Sequence, residues 1–129
     1  MQVNPTLIVY TDGASSGNPG PGWAMYVIGK LEKRVRLEHC TNNEAEYQAV
    51  VSALEELLAN PDLHSDYDQI IFKIDSNLVV QQLNGKFKIK NSRMQKYVAK
   101  INFLTGDIKK PVVFQYIPRE QNRADKLKY

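Results

Sequence analysis

The sequence predicts an α/β fold, a five-stranded mixed sheet flanked by helices in the order β-β-β-α-β-α-α-β-α, on three observations. "TLIVYTD", residues 6–12, is a near-continuous apolar run of the kind a covered strand shows. Two strand-like segments follow it at hairpin spacing, before any helical pattern begins. Beyond residue 41, helical periodicity alternates with two further short apolar runs, as in strand–helix–strand crossovers that make the later strands parallel to the first.

In chain order, "GWAMYVIGK" and "EKRVRLEHC" read as the second and third strands. The latter alternates at Val35 and Leu37, and Gly29-Lys30 suits the hairpin between them. "TNNEAEYQAVVSALEELLANP" reads as a helix with Asn42 or Asn43 as N-cap and Pro61 just past its end. Its apolar stripe runs through Ala45, Ala49, Val50, Ala53, Leu54, Leu57 and Leu58. "QIIFKID" is a short buried strand, and "SNLVVQQL" a short helix capped by Ser76. An Asn84-Gly85 turn and a "KFKIKN" loop lead to "SRMQKYVAKINFL", helical with Met94, Tyr97, Val98, Ile101 and Leu104 on one face. "PVVFQYI" is the last strand and "NRADKLKY" starts a last short helix.

The length of 129 residues fits a single domain, 1–129, with no repeat or linker to divide it. One cysteine, Cys40, excludes a disulfide framework, and no window approaches about 18 apolar residues. These features lead to the expectation of a soluble cytoplasmic protein without a membrane partner. The net charge is only +3, but it is unevenly placed. From Glu38 to Asp75 there are nine acids and one base, whereas Ser76 to Gly106 holds six bases, Lys86, Lys88, Lys90, Arg93, Lys96 and Lys100, and no acid. Such a split fits either a solvated basic face or a polyanionic partner held beside a site that needs negative charge of its own.

The acids have a pattern. Asp12 and Asp75 fall at the carboxyl ends of strands expected to be parallel, the rim where open α/β sheets hold ligands. Glu46 lies four, seven and eleven residues before Val50, Ala53 and Leu57, so helical geometry puts it on the inward stripe, where an uncompensated charge is costly. Asp125 follows the strand expected beside the one ending at Asp75. Singly, such residues serve as caps or ion-pair partners. Together, with no basic residue among them in sequence, four crowded carboxylates repel unless divalent cations join them, and all-oxygen ligands favour Mg²⁺ or Mn²⁺. Two such ions about 4 Å apart are suited to in-line displacement at a phosphodiester.

"YTDGASSGNPGPG", "TNNEAEYQAV", "IDSNLVVQQLNGKFKIKN" and "NRADKL" resemble, in order and over nearly the whole chain, the four motif blocks of the type 1 ribonuclease H family, in a form without the basic protrusion helix. The resemblance implies a ribonuclease H-like fold and hydrolysis of the RNA strand of RNA·DNA hybrids to 5′-phosphate and 3′-hydroxyl products. It implies two Mg²⁺ or Mn²⁺ ions on Asp12, Glu46, Asp75 and Asp125 as catalytic and metal-binding residues. Hybrid contacts are implied at Asn18, Thr41, Asn42, Asn43 and Asn77, with Gly13 and Ser76 counted beside them. Short neutral polar groups of this kind read 2′-hydroxyls across a shallow minor groove without adding charge near the metals. Lys86, Lys88 and Lys90 would clamp the phosphate backbone.

The glycine-rich stretch is neither a dinucleotide fingerprint nor a phosphate loop ending in GK[ST], so no nucleotide cofactor is expected, and the protein is read as a monomer. Without a protrusion helix, weak intrinsic hybrid affinity is expected, and no separate hybrid-binding domain is expected before Met1. The loop "IPREQNRAD" lacks the histidine that many family members carry there, leaving Arg119 or Glu120 as stand-ins, while His39 and His64 read as surface residues. With four residues after Asp125, the last helix has little more than one turn beyond that acid, which would hold it less rigidly. The competing readings are a catalytically silent hybrid-binding module and a DNA-cutting nuclease of the same fold.

Overall fold

The computed structural model describes residues 5–128. Tyr129, the end of the expected last helix, lies outside the described residues. Five strands form one mixed sheet: β1 (Thr6–Ser15), β2 (Gly20–Ile28), β3 (Leu31–Cys40), β4 (Gln69–Ile74) and β5 (Val112–Tyr116), in the spatial order β3-β2-β1-β4-β5. The β1–β2 and β2–β3 pairs are antiparallel, and β1–β4 and β4–β5 are parallel, as the connection lengths predict. Gly29, at φ 60°, makes the tight turn between β2 and β3.

Three α-helices follow from the predicted patterns: α1 (Asn42–Ala59), α2 (Asn77–Leu83) and α3 (Ser92–Ile108). All three pack on the same face of the sheet. There Val50, Leu54 and Leu57 of α1, Val79 and Val80 of α2, and Ile101 of α3 bury Val9, Ile70, Phe72 and Ile74. The opposite face carries a smaller cluster, Met25 and Val27 with Ala124, flanked by Tyr10, Trp23 and Leu127. Its cover is the C-terminal segment Arg123–Lys128, so the two faces of β1 are unequally shielded.

Local differences from expectation have local causes. The N-cap of α1 is Thr41, not Asn42 or Asn43. Its side chain accepts the Glu44 N–H at 3.1 Å, while Glu44 accepts the Thr41 N–H at 3.0 Å, a reciprocal capping box. α3 starts on Asn91 as cap and runs four residues past Leu104 to Ile108, because Ile108 continues the buried stripe. The last helix is a 3₁₀ turn, Arg123–Lys128, rather than an α-helix. Residues 84–91 form a connection without a helix, in keeping with the missing protrusion. His39 is exposed, but His64 is buried beneath Lys110, whose ammonium donates to the carbonyls of His64 and Tyr67. Among the described residues no helix is long and apolar enough to cross a membrane.

Candidate active site

β1 and β4 run side by side to Thr11 and Ile74, where β4 stops and β1 continues in its hairpin with β2. The next residue on each strand is an aspartate, so Asp12 and Asp75 emerge together at the carboxyl rim. Asp12 is buried to 2% exposure. Ser76 caps α2 by accepting the Val79 N–H at 3.3 Å, which turns the chain away directly after Asp75.

Glu46 reaches this rim because α1 lies against β1 at Gly13. A Cβ on Gly13 would stand 2.2 Å from the Ala45 carbonyl carbon and 2.4 Å from the Glu46 nitrogen, so only glycine permits the approach. The Gly13 N–H donates to Oδ1 of Asp12 at 2.9 Å and to Oε1 of Glu46. One backbone donor thus ties two carboxylates from distant parts of the chain.

Asp125 comes from the C-terminal 3₁₀ turn, and its carboxylate, those of Asp12 and those of Asp75 offer oxygens within 4.8 Å of one another. Asn122 delivers that turn. Buried to 1%, it donates to the Thr11 carbonyl at 2.9 Å and to Oδ2 of Asp75 at 3.1 Å, stitching the last segment onto the rim. Periodicity and charge patterning miss Asn122, although it stands three residues before Asp125 in the motif block "NRADKL".

The expectation that no base stands among the acids is corrected by the structure. Lys128, one 3₁₀ turn beyond Asp125, places its ammonium 2.7 Å from Asp125 and 3.3 Å from Asp12. Arg119 lines the same cavity of about 360 Å³, together with Asp12, Gly13, Asn43, Glu46, Asp75 and Ser76. Of the two proposed replacements for a loop histidine, Arg119 faces the carboxylates, and Glu120 does not line their cavity.

Burial pushes the carboxyl of Glu46 well above the usual range, with the charges of Asp12 and Asp75 adding to it. Burial also raises Asp12 and Asp75, whereas the Lys128 contact holds Asp125 below its ordinary value. Burial alone would lower Lys128, but Asp125 and Asp12 more than offset it and raise the ammonium. Oδ2 of Asp12 is buried without a hydrogen-bond partner. Oxygens of three aspartates gathered within 4.8 Å of one another, with Oδ2 of Asp12 met only by the Lys128 ammonium, are the donor chemistry a hard divalent cation takes.

Beside the carboxylates, a second cavity of about 640 Å³ is lined by Asn18, Thr41, Asn42, Asn43, Lys88 and Lys90, among others. Since Thr41 does the capping, the asparagines are used differently. Oδ1 of Asn42 accepts from the Ser15 N–H and hydroxyl, and Oδ1 of Asn18 accepts the Asn42 N–H, pinning the glycine-rich loop to the start of α1. Asn43 lines both cavities. Asn77 and Lys86 line neither; Asn77 accepts from Gln81 within its own helix, and Lys86 is exposed in the turn after α2. Arg93, Lys96 and Lys100 share an exposed face of α3, where Arg93 lies 3.6 Å from Glu44 and Lys100 3.9 Å from Glu55.

Comparison with known proteins supplies an independent line. The family described as "Reverse transcriptase-like" matches residues 26–127. The chain is 38% identical over 127 residues to the ribonuclease HI of Halobacterium salinarum, covering 92% of this chain and 60% of that protein. It is 27% identical to the bifunctional protein Rv2228c of Mycobacterium tuberculosis across 94% of its own length, but spans only 34% of that relative. Among solved structures, LC11-RNase H1 in complex with an RNA/DNA hybrid superposes with a TM-score of 0.85 at 36% identity, over 94% of this chain and 92% of that one.

Proposed function

The chain belongs to the type 1 ribonuclease H family, and from that premise we propose that it is an endoribonuclease hydrolysing the RNA strand of RNA·DNA hybrids with the help of two Mg²⁺ or Mn²⁺ ions. The observation that carries this reading is the meeting of Asp12, Asp75 and Asp125 within 4.8 Å at one end of the sheet, with Glu46 tied to Asp12 through the shared Gly13 N–H.

Asp12, on β1, and Asp75, directly after β4, would be the principal metal ligands, with Glu46 and Asp125 closing the set. When bound, the dications supply the Lewis acidity that activates a water and stabilises the leaving oxygen, giving 5′-phosphate and 3′-hydroxyl ends. The residues around them do the positioning. Asn18, Thr41, Asn42 and Asn43 present neutral donors and acceptors to one side of the carboxylates, suited to 2′-hydroxyls and phosphate oxygens of a duplex laid across them. Lys88 and Lys90, across the same cavity, take the phosphates of the second strand. Arg119 holds a permanent positive charge at the carboxylate cavity, placed to meet negative charge on a phosphate entering it.

Incubation of a labelled RNA·DNA hybrid and matched duplex DNA with Mg²⁺, repeated with Asp12→Asn, tests the proposal. Cleavage confined to the RNA of the hybrid and lost in the variant is expected. Cleavage of duplex DNA would instead identify a DNA nuclease, and metal-independent binding without cleavage a hybrid-binding module.

A further inference from the structure

The face of the sheet opposite the helices holds a feature that the carboxylate chemistry leaves unused. Trp23, the chain's single tryptophan, is half-buried on β2, directly cross-strand from Arg36. The Arg34 guanidinium lies 4.3 Å from the Trp23 ring centroid and that of Arg36 5.8 Å from it. Between the ring, Arg36 and the hairpin residues Ser15, Ser16 and Pro21 is a cavity of about 400 Å³. Ala14 and Lys128 line both this cavity and the carboxylate pocket, so the two are contiguous. Farther along the same seam, Lys33, Arg34 and Lys126 line the next depression, with Glu32 as the one acid among its walls.

An indole with the Arg34 guanidinium over its ring, and a side lining a cavity that Arg34 does not line, offers what an unpaired nucleotide binds: ring surface for the base and the planar N–H fork of Arg36 for the phosphate. A base inside a duplex is already stacked on its neighbours and has no such face to give. The cavity also accepts a group of nucleotide size rather than a double helix. Its walls carry Arg36 and Lys128 and no carboxylate, so their charge complements a phosphate.

We propose that the Trp23–Arg36 cavity is a subsite for an unpaired nucleotide of the RNA strand, at the point where that strand leaves the hybrid next to the carboxylates. The inference rests on the nuclease reading, because only then does the strand lying on the carboxylates consist of RNA. Hybrids flanked by single-stranded RNA are accordingly preferred over blunt ones.

The test uses the full chain in EDTA, where hybrid is bound without metal-supported cleavage. Three probes are titrated: a blunt RNA·DNA hybrid, the same hybrid with a short unpaired RNA extension at its 5′ or its 3′ end, and the same hybrid with an unpaired DNA extension. Dissociation constants are measured together with tryptophan emission, which reports from Trp23 alone. One RNA extension is expected to tighten binding roughly fivefold or more and to quench emission, as a single base stack would. Arg36→Gln should remove most of that gain; Arg36 is exposed, so the substitution leaves the core intact. If neither RNA extension alters affinity or emission, if the gain survives Arg36→Gln, or if a DNA extension serves equally well, the subsite is overturned while the nuclease reading stands. If not even the blunt hybrid binds, the nuclease reading fails and the subsite falls with it.

Discussion

The ammonium of Lys128 lies 3.3 Å from Oδ2 of Asp12, inside the cluster that a dication would join. It also lies 2.7 Å from Asp125, and therefore neutralises part of the charge that a metal would neutralise. A dication joining those oxygens would compete with the ammonium for the same space, so its entry would require Lys128 to withdraw. Lys128→Met should tighten Mn²⁺ binding several-fold in calorimetric titration, and it should lower the melting temperature of the metal-free protein, where the carboxylates then repel unopposed. Unchanged metal affinity would count against this competition.

Glu46 makes the metal-free protein sensitive to pH. Its carboxyl is raised in the folded state, so the native chain holds a proton that the unfolded chain releases at lower pH. The sign follows: the contribution to stability is full below the unfolded carboxylate range, about pH 4.3, and is lost as pH rises through the folded value. Glu46→Gln keeps an oxygen for the Gly13 N–H and removes the charge. Calorimetry of the two proteins without metal should show the variant more stable by a margin that widens from about pH 5 to pH 8. Hybrid cleavage by the variant should fall by at least about 100-fold.

Three glycines separate steric from conformational effects. Gly13→Ala drives a methyl into the backbone of Ala45 and Glu46, which cannot move without shifting α1, and should destabilise by about 3 kcal/mol or more. Gly29→Ala meets no atom within 4 Å, but its φ of 60° limits the loss to about 1 kcal/mol. Gly106→Ala, within α3 and facing open space, should stabilise by about 0.5–1 kcal/mol. Urea denaturation of the three variants checks the order.

Lys88 and Lys90 line the cavity beside the carboxylates, whereas Lys86 does not. Replacing either of the first two by Gln should reduce the slope of log affinity against log salt by up to about 0.9 when hybrid binding is measured over a KCl series. Lys86→Gln should change it less. An equal effect of all three would indicate diffuse attraction rather than a defined clamp.

His64 is held below its ordinary pKa by burial, with the Lys110 charge adding to it. A lowered value means that neutral His64 contributes stability above about pH 6.5, and that the contribution is lost as pH falls from there through the folded value. Denaturation curves of the native chain and His64→Gln should converge on acidification through this range.

The acids were legible in the sequence for reasons that lie within single segments. Asp12 and Asp75 each end an apolar run, and Glu46 interrupts an apolar stripe of helical period, so the physics of one strand or one helix marks them. The same holds for the hairpin at Gly29 and the stripe on α3, whose patterns are repeated locally. Thr41 was missed as the cap because two asparagines follow it and are equally good caps; the reciprocal bond with Glu44 decides between them.

What the chain could not announce residue by residue is whatever depends on distance through space. Lys128 beside Asp12, Asn122 bridging Thr11 and Asp75, and Arg36 opposite Trp23 join residues that are remote in sequence or lie on different strands. Local periodicity determined which elements form and which acids face inward, because it acts over a few residues. Only tertiary packing decided which charges share a pocket: a buried carboxylate feels every ion within a few ångströms, whatever its place along the chain.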